Sequence, residues 1–279
     1  RVELGDIGLH SVDESIKIRS CVITGDVFVY SYFNEFTGNM LWKGKADIHS
    51  NGQGATIRDN LVIGPSTNGL LSTSPDAPGV VTGNTVSGVG TAFTVLTGTA
   101  LDNVAQDCVT GFTSMDYPGG TRTFQSNQVR RCVTGFELLP NGGSNHLIDN
   151  DIDSVTSVGI HAGSSSTNEI ADNVISVTGS HGIWLEGYGT VTGNRVLYAG
   201  ADGIRSARRA DWNVVGRSHG NGITAPSARN NTVFLNGGIG LSLGSSVTDT
   251  VSNNISYGNI GYGLRWSGTG SALLQLSRR

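Results

Sequence analysis

Apolar and polar residues alternate along this chain in short runs, and the runs return at a steady interval. The clearest unit is IADNVISVTGSHGIWL, from Ile170 to Leu185. It has an apolar residue, two variable ones, Asn173, then Val174 and Ile175, and nine residues after the Asn comes Gly182 followed by Ile183. The same Asn slot is filled by Asn39, Asn60, Asn84, Asn103, Asn127, Asn150, Asn194, Asn213, Asn231 and Asn254, and Cys21 takes it in IRSCVITG. From Cys21 to Asn254 the eleven intervals average about 21 residues, a period typical of solenoids. A Gly column confirms the register: Gly69, Gly111, Gly135, Gly159, Gly182, Gly203, Gly222, Gly240 and Gly263 each fall eight or nine residues after their Asn, with Ala92 in the same slot.

Strand side chains point alternately to two faces, so the columns identify what lies inside each coil. The residues after the Gly are Leu70, Phe93, Phe112, Phe136, Ile160, Ile183, Ile204, Ile223, Leu241 and Leu264. Two residues after the Asn stand Val62, Val86, Ala105, Val129, Ile152, Ile175, Val196, Val215 and Val233. Both columns are predicted to form inner walls. The Asn shares the parity of the second column, so it is expected inside at a corner, where amides one strand spacing apart, ~4.8 Å, hydrogen-bond along the stack. The Gly column is expected at a turn that needs positive φ or close backbone approach.

Composition agrees from outside. With 41 Gly in 279 residues and 14% charged residues, little of the chain is suited to long helices. A continuous repeat overrides the two or three globular domains that length alone would predict, since each repeat packs only on its neighbours. The expected organisation is an N-terminal cap or incomplete coil over residues 1–15, a β-helix over 16–266 and an unpatterned tail over 267–279. Extra residues in SPDAPG, YPGG and NGG, before Gly83, Phe124 and His146, read as loops on one side. The chain starts at Arg1 in mid-pattern, which leaves room for a removed leader, and its unpatterned end fits a protein that continues. The net charge of −4 is spread without a basic run, so neither a nucleic acid nor an anionic membrane is expected as a partner. No apolar run approaches the ~18 residues of a membrane span, so membrane insertion is not expected either.

This set of columns resembles the right-handed parallel β-helix proteins, the pectin-lyase-like superfamily, over roughly residues 16 to 266. The resemblance implies an all-β, single-stranded solenoid of about twelve coils. It also implies an extracellular or cell-surface location and a polysaccharide or glycan partner, because the superfamily includes polysaccharide lyases, polygalacturonases, uronate epimerases, phage tailspikes and adhesins. Fold alone does not fix the chemistry.

Chemistry is sought in the outward column, two residues after the Gly, where Glu137, His161, Trp184 and Arg205 follow one another. Stacked at strand spacing they would line a groove ~15 Å long, enough for a few sugar rings. His181 and Asp202 precede their Gly, Glu186 and Tyr188 stand on the far side, and Arg208 and Arg209 lie in the following turn. A uronate-directed lyase or epimerase needs a cation for the carboxylate, a base for the proton α to it and an acid for the leaving oxygen. Arg205 suits the first task, His161 or His181 the others, and Trp184 offers an apolar face. A hydrolase would need two carboxylates, for which Glu137 and Glu186 are available. The alternatives are a solvated sheet face with Glu137 paired to His161, and a non-catalytic structural or glycan-binding module such as an adhesin or tail fibre. The segment Gly179-Ser180-His181-Gly182 looks like the Gly-His-Gly of polygalacturonases, but the Asp pair upstream and the Arg-x-Lys downstream are missing, so that assignment is rejected.

Asp149 and Asp172 precede their ladder Asn and are expected to face outward on adjacent coils, where calcium would relieve their repulsion with help from Asp151 or Asp153. Asp153 also aligns with Arg130, so a simple ion pair by column is the alternative. No other cofactor is indicated. Cys108 and Cys132 share one offset and are expected to stack, as a disulfide or a buried thiol pair, while Cys21 is expected as a buried core thiol.

Overall fold

A computed structural model describes residues 3–11, 14–50, 52–73, 78–115, 119–140, 143–164, 166–244, 250–267 and 276–278. Most of the SPDAPG, YPGG and NGG insertions lies outside them. The fold is an all-β right-handed parallel β-helix of about 11 turns, with no helix among the described residues. The chain divides into two compact units, residues 1–146 and 147–279, and each is built from the same coil.

Every complete coil supplies one short strand to each of three parallel sheets. In the second unit the first sheet holds Asp151–Val155, Val174–Thr178, Arg195–Ala199, Val214–Gly216, Thr232–Phe234, Ile255–Tyr257 and Leu276–Arg278. The second sheet holds Ile160–Ala162, Ile183–Leu185, Ile204–Ser206, Ile223–Ala225, Leu241–Leu243 and Leu264–Trp266. In the first unit Glu3–Leu4 pairs with the strand Val22–Thr24, and Ile7–His10 with Val27–Ser31. The register is the one the columns predict, with Ile175 against Val196 and Ile183 against Ile204.

Both predicted inner columns are buried. Ile152, Ile175, Val196, Val215 and Val233 are fully enclosed, as are Ile160, Ile183, Ile204, Ile223 and Leu241. In the first unit Phe93, Phe112 and Phe136 stack at 4.7 and 4.8 Å, the strand spacing itself, and Phe124 meets two of them edge-on.

The Asn ladder runs inside both units. In the second, Asn150, Asn173, Asn194, Asn213 and Asn231 each pass an amide Nδ2–H to the Oδ1 of the next, ending on Asn254, at 2.9 to 3.1 Å. The same Oδ1 also accepts the backbone N–H of the preceding ladder Asn, as from Asn173 to Asn194 at 3.0 Å. Buried amides are thereby satisfied without water.

Of the two requirements expected of the Gly column, the structure bears out close approach and not positive φ. None of its members has a left-handed φ; the requirement is close approach. A Cβ on Gly182 would lie 2.3 Å from Val196 Cγ1 and 2.6 Å from the carbonyl oxygen of Gly203. Left-handed backbone sits instead at both ends of the strand that follows the Asn. The residue before the ladder position has positive φ in all twelve slots, from Ser20 at 54° through Asp172 at 56° to Asn253 at 55°. Four residues after the Asn, φ is positive again at Asp107, Arg131, Ser154, Val177, Tyr198, Arg217 and Leu235.

Candidate functional site

The second sheet of the second unit brings His161, Trp184 and Arg205 into one outward row. Ile160, Ile183 and Ile204 point inward beside them and lock each strand to the core, so the alternate positions must face out. His161 pairs in register with Trp184, and Trp184 with Arg205. The His161 imidazole stacks on the indole at 4.6 Å between centroids, 29° from parallel. His181 meets the same indole at 5.5 Å, tilted by 56°, and the Arg205 guanidinium lies 5.8 Å from its centroid. The result is an aromatic ledge with imidazoles on two sides and an exposed cation beyond it.

The flanking residues have definite partners. Glu186 Oε1 lies 3.5 Å from His161 Nε2. Asp202 accepts the backbone N–H of Asn221 on Oδ1 at 2.8 Å and the hydroxyl of Thr224 on Oδ2 at 2.9 Å. Asn221 donates to Thr224 Oγ1 at 3.2 Å and accepts from the backbone N–H of Ile239 at 2.9 Å. Asp202 is thus tied into a network with Asn221 and Thr224, two residues that sequence reasoning missed. Their signal was present, since Asn221 occupies the column of His181 and Asp202. Arg208 covers the Tyr188 ring at 4.5 Å, and Arg209 pairs with Asp211 at 2.7 Å. Glu137 belongs to the first unit, where it stands outward in the strand Thr134–Leu138 and its backbone carbonyl accepts from Thr113 Oγ1 at 2.8 Å.

Burial holds the His181 imidazole below its ordinary range; Arg205 and His161 push the same way, while Asp202 opposes them. Its Nδ1 is buried without a hydrogen-bond partner. Because the folded value is lowered, the native state resists protonation. The contribution to stability is full above the unfolded value of 6.5 and is lost as pH falls through the folded one. Thermal melts from pH 7 to pH 5 should therefore lose less stability in His181→Gln than in wild type; equal slopes would remove this role.

Asp149 and Asp172 are exposed corners with left-handed φ of 55° and 56°. Asp151 lies in the strand that follows, and Asp153 accepts the Ser176 hydroxyl at 2.7 Å. Among the described residues no group of three His, Cys, Asp or Glu side chains is placed to hold a metal ion, so the calcium expectation gains no support. Cys108 and Cys132 are buried free thiols, and Val133 N–H bonds to Cys108 O at 3.0 Å on the adjacent coil. Hydrogen bonding from Cys132 draws the Cys108 thiol down to about 7, while the same contact and burial raise that of Cys132. Cys21 is partly exposed rather than a core thiol, because beyond it the ladder has only the two-residue strand Glu3–Leu4.

No curated protein sequence matches the chain. Among solved structures, the crystal structure of the Dettilon tailspike protein is similar with 16% sequence identity and a TM-score of 0.44. The alignment covers 94% of this chain, and this chain spans 61% of the tailspike's length. The profile of the family described as "Periplasmic copper-binding protein (NosD)" matches residues 10–158 and again 96–224. With coils and ladder repeating across that span, the chain belongs to the NosD family of parallel β-helix proteins.

Proposed function

We propose that this protein acts on an acidic polysaccharide outside the cytoplasm, with the chain held along the Trp184 ledge of the second unit. The observation that carries this reading is the juxtaposition of an indole face with the exposed Arg205 cation and two imidazoles. A sugar ring packs on the aromatic ledge, while the guanidinium receives a uronate carboxylate through charge-assisted hydrogen bonds. The chemistry that fits is β-elimination. His181, kept neutral by burial, takes the proton α to the carboxylate. The electron pair left at the α carbon forms the carbon–carbon double bond as the bond from the β carbon to the glycosidic oxygen breaks, and His161, beside Glu186, gives that oxygen a proton.

A hydrolytic reading through Glu137 and Glu186 has less support, since Glu186 is engaged with His161. A second reading, a non-catalytic glycan-binding or structural module, is favoured by the Asp202 network, which commits both carboxylate oxygens to neighbouring coils. The family description names copper, and the described residues offer that ion no group of three His, Cys, Asp or Glu side chains.

Pectic, alginate and glycosaminoglycan polymers separate the readings when ultraviolet-absorbing unsaturated product, new reducing ends and binding are all measured. Unsaturated product lost in His181→Ala supports the lyase; binding without product supports the module. In either case Arg205→Ala should weaken the interaction about tenfold to a hundredfold, the worth of a hydrogen bond to a charged group. Undiminished affinity in Arg205→Ala and Trp184→Ala would remove the ledge as the site.

A further inference from the structure

Five residues after the ladder Asn, a buried side chain closes the corner that leads to the second sheet. Val89, Val155, Thr178, Ala199 and Ser218 hold this position in their coils, so packing there asks only for a small side chain. In two neighbouring coils of the first unit it is filled by Cys108 and Cys132, 5% and 1% exposed, which are two of the chain's three cysteines. Thr178 uses its hydroxyl to tie the turn, donating to the Ser180 carbonyl at 2.9 Å. The thiols, weak donors, have carbonyl oxygens at 3.1 and 3.9 Å from Cys108 and at 3.6 and 3.9 Å from Cys132. Neither packing nor hydrogen bonding accounts for a sulfur at both places.

The backbone sets the two cysteines directly opposite one another. On one side the Asp107 N–H bonds to Arg130 O at 3.1 Å, and on the other the Val133 N–H bonds to Cys108 O at 3.0 Å. The strands before and after keep the same register, with Gln106 against Arg130 and Thr110 against Thr134. Outside the corner Arg131 donates to both carboxylate oxygens of Asp107, at 2.7 and 2.9 Å. Coils tied in this way leave the Cα atoms of Cys108 and Cys132 one strand spacing apart, ~4.8 Å, inside the ~4.4–6.8 Å that a disulfide spans. Both side chains enter the coil from one column, and contact between the sulfurs draws the Cys108 thiol down and raises that of Cys132.

We propose that Cys108 and Cys132 form a disulfide site across neighbouring coils, closed by exchange with a low-molecular-weight organic disulfide. Cys108 is the attacking thiol, since it ionises first and stands next to Val109, which is 57% exposed. Its thiolate bonds to one sulfur of the donor, and the donor's other sulfur leaves as a thiolate. Cys132 then gives up its proton and attacks the Cys108 sulfur, which expels the second half of the donor. The two cysteines lose two electrons and two protons, and the donor disulfide ends as two thiols. The bond ties residues 108–132 into a ring inside a unit whose coils otherwise hold only their neighbours, so fraying stops there. The site is independent of the Trp184 ledge and of what that ledge binds.

The test holds the full chain in a buffer of oxidised and reduced glutathione, folded in one sample and refolding from urea in another. Each is then denatured, alkylated and mapped as peptides without reduction. A peptide linking Cys108 to Cys132 in either sample, with Cys21 outside it, is the expected result. The linked protein should melt about 5 °C or more above the reduced one. Cys108→Ala with Cys132→Ala should melt at one temperature in oxidising and reducing buffer alike, and Ala199 shows that the coil accepts alanine at this position. Cys132→Ala alone should retain glutathione on Cys108, as an attacking thiol without its partner does. Full alkylation of Cys108 and Cys132 in both samples overturns the proposal. Linkage through Cys21 alone overturns it too, as does a Cys108–Cys132 link that leaves the melting temperature unmoved.

Discussion

Asn173→Ala is expected to unfold the second unit or to leave it barely stable. Asn173 Oδ1 accepts both the backbone N–H of Asn150 at 3.0 Å and its amide at 2.9 Å. Its own Nδ2 donates to the carbonyl oxygens of Leu147 and Ala171 and to Asn194 Oδ1, each at 2.9 Å. Truncation removes all of these from a fully buried position with no route for water. At ~1–3 kcal/mol for each buried group left without a partner, two or three such groups cost about 2–9 kcal/mol. That rivals the ~5–15 kcal/mol of a whole domain. Asn173→Asp keeps the acceptor but loses the donor that three oxygens share, so at neutral pH it should be no more stable than the Ala variant. Urea unfolding followed by circular dichroism checks both. A midpoint for Asn173→Ala within about 1 kcal/mol of wild type would show that the ladder is ornamental to stability.

Gly182→Ala is expected to cost about 3 kcal/mol, at the upper end of ordinary overpacking. The added methyl falls 2.3 Å from Val196 Cγ1, which can rotate, and 2.6 Å from the Gly203 carbonyl, which is held in the ladder of the next coil. Val196→Ala relieves only the first contact. A double-mutant cycle between the two should therefore show a coupling above ~0.5 kcal/mol with incomplete rescue. Simple additivity would mean that the backbone clash alone decides the cost.

The fold was legible in the sequence because solenoid packing repeats the same demand at each coil. Asn173 and Ile183 recur since every corner needs the same amide and every wall the same apolar side chain. The left-handed corner before the Asn was legible but overlooked, since its twelve occupants are Gly, Asp, Asn or Ser in every coil except at Trp212. The left-handed position four residues after the Asn was not legible, because occupants such as Val177, Tyr198, Arg217 and Leu235 share no chemistry. A second amide stack was missed as well. Asn236 donates to Asn259 Oδ1 at 2.8 Å, five residues after their ladder positions, where other coils place Val155 or Ala199. Fully buried Arg122 was also missed, since it stands in the inward column opposite Gly98, and its guanidinium reaches the Met115 carbonyl at 2.9 Å. In the candidate site, parity was enough to align His161, Trp184 and Arg205. It was silent on how the rings tilt and on which carboxylates are occupied, because those depend on side-chain rotation and on neighbours in other coils.

Amide donation in the second unit proceeds one way, from Asn150 toward Asn254. Each rung offers an acceptor to the rung before it and a donor to the rung after it. An extra coil spliced between Asn194 and Asn213 would therefore join at both sides without redesign, provided it brings its own Asn, its own Gly and the two wall residues. About 21 added residues would lengthen the unit by one strand spacing, ~4.8 Å. Such a chain behaves as a ruler with fixed graduations, and the span between two features on its surface can be edited by whole coils.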